Sequence, residues 1–83
     1  MDLKTLEYMK ERVKKAENLV FRINELNKAI KKIEVAEKTM FSTKQHGNYV
    51  ELDGFELVKD LKASSIVCIE KEIARLEKEL AEL

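Results

Sequence analysis

TMFSTKQHGNYVELDG, residues 39–54, is the stretch on which the fold turns. It holds both glycines of an 83-residue chain that has no proline. Over these residues the helical spacing of apolar positions on either side gives way to a two-residue alternation. Aromatic and β-branched residues in alternation around a glycine predict a β-hairpin over about 40–52. A turn at His46-Gly47 pairs Phe41 with Leu52 and Thr43 with Val50 on one face. It then leaves Ser42 opposite Glu51 and Lys44 opposite Tyr49 on the other. A turn at Gly47-Asn48 pairs the apolar residues less well, and a disordered loop is the remaining alternative.

Outward from this stretch the chain reads as two helical arms. In the first, about 2–38, Leu6, Met9, Val13, Ala16, Val20, Ile23, Asn27 and Ile30 recur three and four residues apart, the spacing of a left-handed coiled-coil seam. Leu19, Leu26 and Ile33 form a second row beside it. Asp2 is the expected N-cap, with Met1 and Leu6 as a hydrophobic staple. In the second arm, about 54–83, Asp53 is the expected cap with Glu56 completing a capping box. Its apolar row is Val58, Leu61, Ser65, Ile69, Ile73, Leu76, Leu80 and Leu83. The run of four-residue steps around Ser65 and Ile69 is a stutter that unwinds a supercoil locally. The expected fold class is mainly α, a single domain over 1–83. Long helix, β-hairpin and long helix form an antiparallel coiled-coil hairpin that assembles into an oligomeric helical bundle.

The oligomer follows from what one chain can cover. Two helices side by side bury one stripe each, and an isolated two-stranded hairpin is marginal in water. Candidate interface residues are Val20, Phe21, Ile23, Asn27, Ile30 and Val35 in the first arm, and Ser65, Ile69, Ile73, Leu76 and Leu80 in the second. Phe21 and Val35, two heptads apart, share a further face of the first helix. Asn27 reads in two ways: as a buried amide that sets register, or as the point where the seam turns to solvent and Leu26 and Ile30 carry the contact.

Chemistry is sparse. The single histidine, His46, lies in the expected turn, and the single cysteine, Cys68, is expected as a small buried thiol within an apolar run. One His and one Cys make no structural zinc set, no glycine-rich phosphate loop is present, and no catalytic residue, cofactor or metal is assigned. Carboxylates are spread among lysines along the helices, in pairs such as Glu11–Lys15 and Glu34–Lys38. Sixteen basic and sixteen acidic residues cancel, which counts against nucleic acid as a partner. No apolar run reaches the roughly 20 residues of a membrane span, so a cytoplasmic chain with no membrane partner is expected. The binding candidates are Phe41, Lys44, His46 and Tyr49 in the hairpin, which combine rings with cations, and the Lys28, Lys31, Lys32 cluster for anions.

The helix–hairpin–helix plan resembles a β-type prefoldin subunit. Gly47-Asn48-Tyr49-Val50-Glu51-Leu52-Asp53-Gly54, running into a helix that ends Ile73-Ala74-Arg75-Leu76-Glu77-Lys78-Glu79-Leu80, is similar to small phage-encoded proteins of this layout. That resemblance implies an accessory protein in an infected bacterial cytoplasm that binds and disables a host factor. The implied targets are an immune protein or a small anionic signalling nucleotide. A structural or chaperone-like coiled-coil protein and a nucleic-acid-binding regulator are the alternatives.

Overall fold

In the computed structural model, which describes residues 2–83, the elements run α1 (Leu3–Glu34), β1 (Thr39–Ser42), β2 (Tyr49–Leu52) and α2 (Phe55–Ala81). The helices lie antiparallel, and two contacts fix their register. Arg12 Nη2 donates to the carbonyl of Leu83 at 2.6 Å, and Lys62 Nζ donates to the carbonyl of Glu34 at 2.7 Å. Residues 3–11 of α1 therefore run past the end of α2.

α1 starts as expected: Asp2 is the N-cap and its carboxylate accepts the Thr5 N–H at 2.7 Å, satisfying one orphan donor of the first turn. The Met1–Leu6 staple lies outside the described residues. The helix ends at Glu34, four residues short of expectation, with Val35 as C-cap. Nothing in residues 35–38 breaks a helix by itself, so the cause is tertiary. The Lys62 ammonium reaches across from α2 to the carbonyls of Glu34 and Ala36, 2.7 and 3.1 Å away. It meets the negative end of the helix dipole there. Lys38, freed from the helix, pairs with Glu51 on β2 at 2.8 Å instead of with Glu34.

α2 departs from its expected cap. Gly54, at φ +105°, is the N-cap, no side chain caps the helix, and the Val58 N–H bonds the Gly54 carbonyl at 2.9 Å. The chain needs a left-handed residue to swing from β2 into α2, and glycine supplies it without a Cβ penalty. Asp53 is thereby left one position too early to cap.

The core is a single seam. Leu26, Val58 and Ile73 are the buried hydrophobic side chains. On α2 the whole expected row from Val58 to Leu83 is buried or half-buried. On α1 the inward row is Ala16, Leu19, Ile23, Leu26, Ile30 and Ile33, while Leu6, Met9, Val13, Val20 and Asn27 are exposed. The row expected to be secondary is thus the one that meets α2 within the chain. The two rows share Ala16, Ile23 and Ile30, so periodicity alone does not choose between them. The return of α2 along α1 decides the choice, covering Leu19, Leu26 and Ile33 and leaving Val13, Val20 and Asn27 exposed. Cys68 is exposed, contrary to the expected buried thiol, because among the described residues nothing covers the outer face of α2.

The molecule is elongated, 61 × 28 × 15 Å with a radius of gyration of 18.1 Å. A compact chain of this length would have about 12 Å.

Candidate binding surface

β1 and β2 pair antiparallel, Thr39 with Leu52, Met40 with Glu51, Phe41 with Val50 and Ser42 with Tyr49. The register differs by two residues from the expected one, in which Phe41 met Leu52. The turn itself is centred on His46-Gly47 as expected: the Asn48 N–H bonds the Gln45 carbonyl at 3.1 Å, and Gly47 has φ +84°. A two-residue hairpin loop, however, requires a positive φ at its first central residue, and His46 does not adopt one. A turn with only its second central residue left-handed splays the strands. Lys44 and Gln45 therefore join the loop, and the ladder closes at the Thr43 N–H to Asn48 carbonyl bond of 3.0 Å. The loop is further tied by Asn48 Nδ2 donating to Gln45 Oε1 at 2.6 Å and by the Thr43 hydroxyl donating to the Asn48 carbonyl at 3.2 Å.

A two-residue slip preserves faces. Phe41, Val50 and Leu52 share one side, and Ser42, Tyr49 and Glu51 the other. Phe41 and Tyr49 therefore stand on opposite faces, and Ser42, not Lys44, sits opposite Tyr49. Lys44 and His46 occupy the loop. Met40, Phe41, Tyr49 and Val50 are all about half exposed, so neither face is covered over the distal part of the hairpin, and each strand has one unpaired edge in the chain. Only Thr39 and Leu52, at the base, are half-buried.

The other candidates lie apart from the hairpin in sequence and in role. Lys28, Lys31 and Lys32 are exposed on α1; Lys28 contacts Glu25 at 3.4 Å, and Lys31 and Lys32 lie in the last turn, where cations complement the helix dipole. A groove of about 540 Å³ opens between the end of α1 and the start of α2, with Val35, Phe55, Val58, Lys59 and Lys62 among its lining residues. Neither the lysine cluster nor Phe41, Lys44, His46 and Tyr49 line it. Sequence reasoning missed this groove, and Phe55 was its one available signal: an aromatic ring at the start of a helix, off the apolar row. Lys62 gave no such signal, because its role depends on a contact 28 residues distant.

Two exposed groups titrate away from their ordinary values. The hydrogen bond to Glu51 raises the pKa of Lys38. The Thr5 backbone N–H lowers that of Asp2. Among the described residues no group of three or more His, Cys, Asp or Glu side chains could hold a metal ion, and no helix is long and apolar enough to cross a membrane. Comparison with protein families, with curated proteins and with solved structures returned no match.

Proposed function

We propose that this chain acts stoichiometrically, as an oligomeric binding protein whose β-hairpin is the working surface. The observation that carries this reading is the state of the hairpin. Four large apolar or aromatic side chains, Met40, Phe41, Tyr49 and Val50, are exposed on its two faces, with Lys44 and His46 at its tip. An apolar pair left exposed on each face, Phe41 with Val50 and Met40 with Tyr49, suits an interaction site, and aromatic residues on a hairpin tipped with cations suit a protein hot spot or a stacked, anionic base. Following the phage-type resemblance, the partner is a host defence protein or a small signalling nucleotide, held in the bacterial cytoplasm and not turned over. Calorimetry against a panel of cyclic nucleotides, with pull-down from a bacterial lysate, tests this. Saturable binding that is lost in Phe41→Ala or Tyr49→Ala is expected, and no ligand in either assay overturns it.

A second reading, a structural or chaperone-like assembly protein, is favoured by a different observation. Phe21 on α1 and Val35 at its C-cap, two heptads apart, lie widely exposed. In that case Phe21→Ala weakens partner capture more than His46→Ala does.

A further inference from the structure

We infer that the exposed row of α1, Leu6, Met9, Val13 and Val20, is the interface between two copies of this chain, packed antiparallel about a twofold axis near Val13. The inference deepens the oligomeric reading above by naming the surface and its register. Its first support is area. The chain exposes 7250 Å², whereas a compact monomer of 9.7 kDa would expose about 5,100 Å². The surplus, roughly 2,100 Å², exceeds the approximately 800 Å² that each partner contributes to a standard interface. Most of the inward-facing apolar residues, Ile23, Ile30, Ile69, Ile73, Leu76 and Leu80 among them, are already engaged between α1 and α2. Among the exposed large apolar residues of the helices, Leu6, Met9, Val13 and Val20 are the set that lines up at seam spacing, while Phe21, Phe55, Leu57 and Val67 stand off that row.

The second support is the shape of that row. Leu6, Met9, Val13 and Val20 keep the spacing of a coiled-coil seam. Shallow grooves flank the Met9–Val13 ridge on both sides, one lined by Arg12, Ala16 and Leu83, the other by Lys10, Lys14 and Glu17. A facing helix can seat its knobs in both. The apolar row is centred near Val13 and stops being apolar at Asn27, so a twofold axis there matches the row with itself. That arrangement sets Leu6 against Val20 of the second copy, with Val13 facing its own counterpart.

Charge supplies the third support and the direction. In the antiparallel pairing Lys10 stands beside Glu17 of the second copy, and the twofold makes this contact twice. A parallel, in-register pairing would instead bring Lys10 beside Thr5, Asn27 beside its own copy, and Glu17 beside Arg12, whose guanidinium is already engaged by the Leu83 carbonyl.

The test is sedimentation equilibrium on the full chain, with circular dichroism to show that each variant remains helical. Val13→Asp is expected to raise the dissociation constant at least about a hundredfold, because it places two unpaired carboxylates in the centre of the contact. Lys10→Glu and Glu17→Lys should each weaken the dimer several-fold, and the double exchange should restore it. In a parallel dimer Lys10→Glu would be nearly silent and the double exchange would not rescue. If the wild type is oligomeric and Val13→Asp leaves its mass unchanged, the interface is wrong while the oligomeric reading stands. If the folded wild type is a monomer, both fail. If Val13→Asp loses its helicity, the charge-exchange series alone decides: rescue supports the contact, and its absence overturns it.

Discussion

α1 and α2 are close in length, 32 and 27 residues, but they spend their apolar residues differently. α2 turns one row, Val58 to Leu80, toward α1, and its exposed larger apolar residues, Phe55, Leu57, Val67 and Cys68, form no second row at seam spacing. α1 carries two rows that diverge along its length. One, from Ala16 to Ile33, meets α2; the other, Leu6, Met9, Val13 and Val20, stays about half exposed, with only Leu83 alongside its middle among the described residues. A helix needs only one stripe to join a two-helix hairpin. The second stripe on α1 exceeds that need, and in the proposed dimer α1 is the element that links the chain's own packing to its assembly.

The largest effect that could break this contrast comes from the inner row. Leu26→Ala should destabilise the chain by about 2–3 kcal/mol, the lower part of the range for buried leucine, because the seam is only one layer deep. Its guanidinium midpoint should fall at every protein concentration. Val13→Ala should act chiefly on the concentration-dependent part of the midpoint. Equal behaviour of the two variants would erase the distinction between the rows.

Next is Lys62, which links α2 to the end of α1. Lys62→Met keeps much of the aliphatic stem but leaves the carbonyls of Glu34 and Ala36 without their donor, at a cost of about 1–2 kcal/mol. Faster amide exchange around residues 33–38, with α2 unaffected, would locate the loss. Gly47→Ala should cost about 1 kcal/mol, since the added Cβ meets nothing within 4 Å and only the left-handed backbone resists it. Proton exchange at the Thr43 and Asn48 amides reports on it, and the helices should not respond.

The smallest effect is at the start of α1. Asp2 has a carboxyl pKa held below its ordinary value of 3.8 by the Thr5 N–H. A group depressed in the folded state stabilises it above its unfolded pKa, and this contribution is lost as pH falls through the folded value. Acidification below the ordinary carboxylate range should fray the first turn, visible as a shift of the Thr5 amide resonance. Asp2→Ala should show the frayed turn at neutral pH and no further change on acidification.

Much of this architecture is legible in residues 39–54 and in the row of α2. The faces of the hairpin are readable because alternation survives a two-residue slip. Its register is not, because His46 settles the loop length by declining a left-handed conformation, and pairing patterns do not encode that preference. The inner face of α1 is ambiguous for a similar reason: Ala16, Ile23 and Ile30 belong to both rows, and only the direction in which α2 returns selects Leu19, Leu26 and Ile33. The early end of α1 rests on Lys62, a contact that no local window contains. Of the candidate surface, the exposure of Phe41 and Tyr49 on separate faces follows from alternation, whereas the groove beside Phe55 exists only once both helix ends are in place.

The claim most open to direct test is that the functional unit is an assembly of copies. Sedimentation equilibrium of the wild-type chain at micromolar concentration measures it. The expected result is a mass that is a multiple of 9.7 kDa and falls on dilution. A helical, cooperatively unfolding species that stays at the single-chain mass throughout would contradict it.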